Sequence, residues 1–397
     1  METFSNALTL IDQGVYMTSV DLKDAYYTVP IAYSDVKYLK FVWKGNLYAF
    51  GALPNGLSTG PRLFTKLLKP PLAYLRSRGH IVLIYIDDIL AINKCRDKAK
   101  HTAREVCEIL TSLGFIINYK KSVLQPTQTI TFLGFEINSV TMTGVTLPQS
   151  KKEEIFNECH QVITSVQTTI RQVASLLGKL VAALPAVEYG KLHYRALEKG
   201  KIMSPRHNKG HYDRTMTINE NGRADITWWQ HNIYYVYKHI SHGDPNLAFE
   251  TDASGLGWGA TDGTNHIGGR WCQNDLQNAF VNDSLNINYL ELLAAFLGLK
   301  SLIKDVPVSN IHVQLKIDNT TAIAYINNMG GAKSNTCNHL AKMIWQWCTD
   351  HNIWLSAIHV PGKDNLIADN KSRHFDDEKE WMLNKDLFQK IKTLRNS

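Results

Sequence analysis

The sequence predicts a mixed α/β (α+β) fold that is divided among more than one domain. Its 397 residues are enough for two or three domains, each with its own hydrophobic core. Short apolar runs rich in Ile, Val and Leu, such as residues 81–86, predict strands. Stretches with an apolar residue at every third or fourth position, such as residues 151–198 and 287–303, predict helices.

The composition, 44% hydrophobic and 20% charged, is that of a globular chain and excludes a largely disordered one. The net charge of +7 is compatible with a polyanionic partner, although many unrelated proteins share such a charge. Six scattered cysteines without a CxxC pair indicate reduced thiols in an intracellular protein of the cytoplasm or nucleus. No apolar run approaches the roughly 20 residues of a membrane span, and residues 1–14 lack a signal-peptide layout. We therefore expect no secretion and no transmembrane segment.

A pair of adjacent acids, Asp87 and Asp88, lies between two apolar runs and predicts a short buried hairpin with the acids at its turn. An ionised carboxylate beside such runs is costly to desolvate unless a cation compensates it. Mg²⁺ prefers carboxylate oxygens and completes its shell with water and phosphates. The alternative is a solvated turn that happens to hold two acids.

A third acid, Asp21, is predicted at the end of a strand over residues 17–22. Only a fold that pairs distant strands could unite it with Asp87, which is what two-metal phosphoryl transfer requires. Between these acids, residues 53–64 form a loop with Gly and Pro that leads into an amphipathic stretch at residues 63–75. Its glycines would allow a nucleotide to approach the backbone closely. The alternative is that the loop is an ordinary start of a helix.

Five motifs occur in order along the first third of the chain, and together they resemble the palm motifs of reverse transcriptases. They are residues 19–26, 53–64, 85–88, 114–121 and 132–134. Residues 24–26 and 60–66 look most like those of DIRS-type (tyrosine-recombinase) retrotransposons. The resemblance implies a right-hand polymerase palm in which Asp21, Asp87 and Asp88 hold two Mg²⁺ ions, with Mn²⁺ as a substitute.

The same resemblance implies four substrate-binding residues. Tyr26 matches the aromatic steric gate that excludes a ribose 2′-OH, and a packed core tyrosine is compatible with that role. Asn55 and Gly56 fall in the nucleotide-contacting loop, where many relatives carry Gln instead of Asn55. Lys121 or Lys120 matches a lysine that can protonate pyrophosphate, although a Lys–Lys pair is usually a solvated face. The implied partners are RNA template, DNA primer, RNA–DNA hybrid and deoxynucleoside triphosphates.

The segment before Asp21 is short compared with the family, in which the fingers with their triphosphate-gripping basic residues lie upstream of this point. We therefore expect truncated fingers in a palm over residues 1–140. Three explanations stay open: the chain is a fragment, a partner supplies the grip, or polymerase activity is lost.

The middle of the chain, residues 141–244, predicts a helical thumb or connection. Lys151, Lys152, Arg171 and Lys179 are available for phosphates, or they belong to solvated helix faces. Residues 202–221 are polar and predict a linker. A helix over residues 225–233 follows, in which Trp228 and Trp229 are interpreted as core anchors.

Four further acids, Asp252, Glu291, Asp318 and Asp369, fall at predicted strand ends and on helix faces in residues 245–374. Such a set suits a second two-metal site that hydrolyses a phosphodiester, whereas each acid alone is more often a cap or surface charge. Their order resembles RNase H, which implies an RNase H-like mixed-sheet domain with the four acids as Mg²⁺ ligands. Residues 375–397 predict an added amphipathic helical tail.

Three functions follow from the sequence. The first is a retrotransposon polymerase that couples RNA-directed DNA synthesis to RNase H cleavage of the hybrid. The second is a fragment or domesticated nucleic-acid-binding remnant without polymerase activity. The third is a protein that retains RNase H activity only. The sequence leaves template preference and oligomeric state open.

Overall fold

The computed structural model describes residues 2–140, 144–165, 167–207, 211–281, 284–303 and 310–375. The chain forms two compact units, Met1–Ser241 and His242–Ser397. The predicted helical tail lies outside the described residues, apart from Phe375. Within the described part of the chain, no helix combines the length and the apolar character needed to cross a membrane.

The first unit mixes short strands with long helices. In chain order they are α1 Phe4–Leu8, β1 Tyr16–Lys23, β2 Lys40–Trp43, β3 Asn46–Ala49, α2 Gly60–Ser77, β4 Ile81–Tyr85, β5 Asp88–Asn93, α3 Arg96–Ser112, β6 Ile116–Ile117, β7 Val123–Thr127, β8 Thr129–Phe132, β9 Phe135–Asn138, β10 Gly144–Thr146, α4 Gln149–Thr164, β11 Thr168–Thr169, α5 Ile170–Ala183, α6 Arg195–His207, β12 Thr215–Met216 and α7 Glu220–Asn232.

The main sheet of this unit is antiparallel, with the strand order β4-β5-β1-β6 and with β7 also paired to β1. Alternate residues of β1 point to opposite faces, as the period of two in a strand requires. Val20 and Leu22 pack against the core that holds Phe64 of α2 and Val106 of α3. Met17 belongs to a second core on the other side, with Leu83, Leu90 and Ile137 among its members. Both faces of the central strand are therefore buried, which fixes its register.

The helical region after this sheet differs from the prediction in two places. The periodic stretch at residues 151–198 is not continuous, because β11 pairs with β12 and separates α4 from α5. Thr169 and Gln172 then close a capping box that starts α5. Residues 202–221 are not all linker, since α6 extends to His207. Trp229 is fully buried in the core of these helices, as predicted.

The second unit contains a mixed sheet covered by helices. Its elements are β13 Leu247–Ala253, β14 Gly257–Thr261, β15 His266–Arg270, α8 Gln273–Ala279, β16 Phe280–Val281, β17 Ser284–Leu285, α9 Ile287–Ile303, β18 Ile311–Ile317, α10 Thr320–Asn327, α11 Asn335–Asp350, β19 Ile353–His359 and α12 Leu366–Arg373. The strand order is β15-β14-β13-β18-β19, in which β13–β15 are antiparallel and β18 and β19 run parallel to β13. The predicted mixed α/β class is confirmed in both units.

Two helices lie unusually close to this sheet because small residues face them. A Cβ atom at Gly259 would contact the backbone of Ala368, and one at Gly268 would contact that of Lys371. Glycine at these strand positions therefore lets α12 rest directly on β14 and β15. In α9, Gly298 faces Ala260 and Thr251 in the same way. This close packing brings both helices to the end of β13, where Asp252 lies.

Two candidate metal centres

The first centre is built by strand register. Asp21 near the end of β1 is the direct partner of Asp88, the first residue of β5. Asp87 lies in the two-residue turn between β4 and β5, and its carbonyl oxygen accepts a hydrogen bond of 3.0 Å from the Leu22 N–H. Residues that are remote in the sequence thus meet at the mouth of one hairpin.

The turn that carries Asp87 has a strained backbone. Ile86 has a φ of +57°, which is an outlier for a β-branched residue. Such a conformation costs on the order of 1–3 kcal/mol and persists only where the surroundings hold it. Here the Ile86 side chain packs against the core beneath the sheet. The hairpin therefore keeps its acids in place at a cost in stability.

Crowding of like charges perturbs these acids. Burial raises the pKa of Asp88 to about 6, and the neighbouring Asp87 and Asp21 contribute. The pKa of Asp87 is also raised, first by burial and then by Asp21. Lys121 acts in the opposite direction on both carboxylates. A cation among the three acids would relieve this repulsion, so the cluster is compatible with a divalent metal.

A cleft of about 510 Å³ opens beside the acids and is lined by Asp21, Asp88 and Lys121. Tyr26 follows β1 in a 3₁₀ turn, and its ring packs edge-on against Phe64 with centroids 5.6 Å apart. Burial raises the pKa of Tyr26, and the charge of Asp87 adds to this shift. The structure therefore brings Lys121 and Tyr26 to the first centre.

Asn55 and Gly56 belong to an exposed loop. The Asn55 side chain donates to the Tyr27 hydroxyl at 3.4 Å, so its described contact is with a neighbouring tyrosine. Gly56 has a φ of +90° and nothing within 4 Å of the position of a Cβ atom. Glycine there satisfies a left-handed backbone and leaves open space in front of it.

The second centre is built from two strands and a helix. Asp252 lies near the end of β13, Asp318 follows β18, and Glu291 projects from α9. One carboxylate oxygen from each lies within 4.8 Å of the others. Asp252 and Glu291 are buried, whereas Asp318 is partly exposed.

Burial dominates the electrostatics of this centre. It raises the pKa of Glu291 to about 9, and Asp252 and Asp318 add to the shift. The pKa of Asp252 is raised mainly by burial as well. Within the described residues, the buried Glu291 Oε2 has no hydrogen-bond partner. An orphaned oxygen among three converging carboxylates fits a divalent cation, because buried charges need a partner or a metal.

Asp369 lies at the rim of the second centre and not in the converging triad. Its Oδ1 is 2.8 Å from both Nε and Nη2 of Arg373 on the next turn of α12. It remains near enough to Asp252 to contribute to the raised pKa of that residue. The structure therefore gathers three of the four predicted acids and holds the fourth in an ion pair.

Sequence reasoning missed one residue of this centre. Ser372, fully buried on α12, donates a hydrogen bond of 2.8 Å to Asp252 Oδ2. Its spacing of three residues from Asp369 puts both on one helix face, which is the signal that could have indicated it. Ser372 fixes the orientation of the Asp252 carboxylate.

The four cations predicted for phosphate binding all have protein partners. Arg171 pairs with Asp213, and Lys179 lies between Glu154 and Glu158. Lys151 donates to the Gly134 carbonyl and Lys152 to that of Tyr234. Each of the four side chains therefore has a contact within the protein itself. Phosphate binding by them stays a prediction.

The match between this chain and a known protein family lies in the first unit. Residues 2–137 match the family model described as "Reverse transcriptase (RNA-dependent DNA polymerase)". The Pro-Pol polyprotein of feline foamy virus is 29% identical over 168 residues, which are 42% of this chain and 13% of that protein. The enzymatic polyprotein of cauliflower mosaic virus (strain D/H) is 24% identical over 93% of this chain and 52% of its own length. Residues 2–137 are thus similar to the reverse transcriptase domains of such viral polyproteins, and the chain spans about half or less of these relatives.

Solved structures show the same fold. A foamy viral protease-reverse transcriptase in complex with RNA/DNA hybrid aligns with 96% of this chain and 48% of its own, at a TM-score of 0.52 and 20% identity. Another, in complex with dsDNA, aligns with 90% of this chain and 71% of its own, at a TM-score of 0.51 and 18% identity. The mixed α/β fold of the chain is therefore similar to that of these foamy viral structures.

Proposed function

We propose that the chain is an RNA-directed DNA polymerase coupled to RNase H cleavage of RNA–DNA hybrids, with a two-metal centre in each unit. The observation that carries this proposal is the convergence of carboxylates into two separate clusters from residues far apart in sequence. Division into a palm at residues 1–140, a helical thumb or connection at 141–244 and an RNase H-like domain at 245–374 belongs to the same proposal. So does membership of the DIRS-type group, which rests on residues 24–26 and 60–66.

In the polymerase centre, Asp21, Asp87 and Asp88 would hold Mg²⁺. When bound, such ions activate the attacking 3′-hydroxyl and neutralise the departing pyrophosphate. Lys121 lines the same cleft, which supports its proposed role of supplying a proton to that leaving group. Tyr26, whose ring packs against Phe64, would act as a steric gate against a ribose 2′-OH. The open space before Gly56 suits close approach of a nucleotide.

In the hydrolytic centre, Asp252, Glu291 and Asp318 would hold Mg²⁺, and Asp369 would join them at the rim. Ions held by these residues would lower the pKa of a bound water and would stabilise charge on the scissile phosphate. Ser372 keeps Asp252 oriented, and Arg373 holds Asp369 until a cation competes for it. The role of Asp369 therefore depends on exchange of its ion pair.

The nucleic-acid partners are proposed by analogy with the solved neighbours, which are complexes with dsDNA and with RNA/DNA hybrid. For this chain we propose an RNA template, a DNA primer, the hybrid they form and deoxynucleoside triphosphates. The net charge of +7 favours such polyanions.

One observation favours hydrolysis alone as a second candidate. Every residue of the β2–β3 hairpin is exposed, including Val42, Trp43 and Leu47. Among the described residues nothing covers this apolar hairpin. Such a hairpin is poorly suited to hold a triphosphate firmly.

A paired assay tests these functions. Purified protein with Mg²⁺ receives either a primed RNA template with deoxynucleotides or a labelled RNA–DNA hybrid. Extension of the primer together with cleavage of the hybrid RNA supports the main proposal. Cleavage without extension selects the hydrolytic function, and neither activity, with binding retained, contradicts both.

A further inference from the structure

A third cluster of metal-binding side chains lies in the first unit, apart from the two carboxylate centres. His80 immediately precedes β4, and His101 and Glu105 are one turn apart on α3. One ligand atom from each lies within 4.8 Å of the other two. An i, i+4 pair of ligands on one helix face is a recurring way to hold zinc.

The hydrogen bonds fix which nitrogen of His80 faces the cluster. The Thr102 hydroxyl donates to the Lys98 carbonyl at 2.9 Å, so its oxygen is left to accept from His80 Nδ1 at 2.8 Å. Nε2 then points at Glu105 Oε2, only 2.7 Å away. With Nδ1 protonated, a neutral imidazole offers a lone pair at Nε2, and an ionised carboxylate offers only lone pairs. Two lone pairs in contact require a proton or a metal ion between them.

The other contacts complete the same arrangement. His101 Nδ1 lies 3.7 Å from the same Glu105 oxygen, and its ring stacks on that of His80. Arg78 Nε binds the second oxygen of Glu105 at 2.7 Å and so orients the carboxylate. The side chains of His80 and Glu105 are 12% exposed, whereas that of His101 is 54% exposed. The cluster is thus anchored from inside and open on one side.

We propose that His80 Nε2, His101 Nδ1 and Glu105 Oε2 form a binding site for a zinc-class divalent cation, with water as the fourth ligand. Two imidazoles and one carboxylate are a ligand set that Zn²⁺ favours over Mg²⁺. Bonds of about 2.0–2.1 Å in a tetrahedral site place ligand atoms roughly 3.3 Å apart. The two separations to Glu105 Oε2 lie on either side of that value, so small side-chain movements suffice. Thr102 would act as the outer partner that holds the imidazole of His80.

The site would join the start of β4 to α3 and take no part in the proposed chemistry. The five residues of β4 separate His80 from the turn that carries Asp87, a span of roughly 20 Å in an extended strand. Occupancy by zinc would therefore stabilise the hairpin that positions Asp87 without contacting substrate. Loss of the site and loss of the proposed polymerase function are for this reason separable.

The test is a titration of the metal-free full chain with Zn²⁺ and Co²⁺ in excess Mg²⁺, which occupies the oxygen-only centres. We compare the wild type with His101→Ala, an exposed position where truncation leaves the fold intact, and with His231→Ala, an exposed histidine of α7, as the matched control. The expected result is loss of one bound Zn²⁺ per chain, or an affinity reduced about 100-fold or more, in His101→Ala only. The Co²⁺ visible absorption band should be lost in the same variant.

A parallel titration of Asp252→Asn separates this site from the second centre, since its Zn²⁺ uptake at the His80 cluster should be unchanged. Equal Zn²⁺ binding by wild type and His101→Ala would overturn the proposal. So would a Zn²⁺ loss that follows Asp252→Asn instead.

Discussion

The two carboxylate centres use the same side-chain chemistry, but their supports differ. In the first, Asp21 and Asp88 face each other on paired strands, and the cluster opens into a cleft. In the second, a buried helix brings Glu291 against Asp252 and Asp318. The pKa of Asp88 is raised to about 6 and that of Glu291 to about 9. The carboxyl pKa is therefore raised less where paired strands bring the acids together than where a buried helix does so.

The strongest way to separate the centres is to remove one acid from each. We expect Asp87→Asn to reduce primer extension by at least about 1000-fold and Asp252→Asn to reduce hybrid cleavage by as much, because each removes metal charge stabilisation worth several kcal/mol. Each variant should leave the other activity unchanged. The two assays on the same preparations measure this, and a variant that impairs both reactions equally would show that the centres are not independent.

The orientation of Asp252 provides the next test. Ser372→Ala removes the hydrogen bond to Asp252 and should lower hybrid cleavage or metal affinity about 10- to 100-fold. Ser139→Ala is the matched control, since Ser139 is equally buried in the other unit and donates to the Val15 carbonyl. It should reduce stability without slowing cleavage. Equal cleavage by Ser372→Ala and wild type would remove Ser372 from the centre.

The pH dependence of stability should differ between the centres in metal-free protein. A raised carboxyl pKa favours folding fully below the unfolded value and loses that contribution as pH rises through the folded value. For Glu291 the loss extends from 4.5 to about 9, and for Asp88 from 3.8 to about 6. Thermal unfolding in a chelator should show a decline in stability up to about pH 9, and Glu291→Gln should abolish the part of it above about pH 6. Asp88→Asn should flatten the dependence of stability on pH only at acidic pH. An unchanged dependence in Glu291→Gln would contradict the assignment of the loss to Glu291.

The smallest effect is expected next to Asp318. A Cβ atom at Gly362 would lie 3.1 Å from Asp318 Oδ2, closer than comfortable contact. Gly362→Ala should therefore shift this carboxylate and reduce hybrid cleavage by about tenfold or less, roughly 1 kcal/mol. Gly255→Ala is the control, because nothing lies within 4 Å of its Cβ position. Steady-state cleavage by both variants measures the difference, and equal rates would place the Gly362 loop outside the centre.

The sequence was most informative where local patterns coincide with long-range contacts. The helix predicted over residues 287–303 is α9, and the acids at predicted strand ends lie where β13 and β18 end. The convergence of Asp21 with Asp87 and Asp88 was expected from a resemblance in ordered motifs, since no local pattern specifies which strands pair. Assignment of these acids as metal ligands stays a prediction.

Other features depend on contacts that spacing does not encode. The break between α4 and α5 arises because Thr168 and Thr169 pair with Thr215 and Met216, far along the chain. The ion pair of Asp369 with Arg373 depends on the rotamers that the two side chains adopt on one helix face. In each case the partner, not the local propensity, decided the outcome.

The central claim is that each unit holds divalent cations through its own carboxylate cluster. Anomalous diffraction from crystals grown with Mn²⁺ tests it most directly. We expect one set of peaks among Asp21, Asp87 and Asp88 and another among Asp252, Glu291 and Asp318. Crystals that diffract well but show manganese at neither cluster would contradict the account.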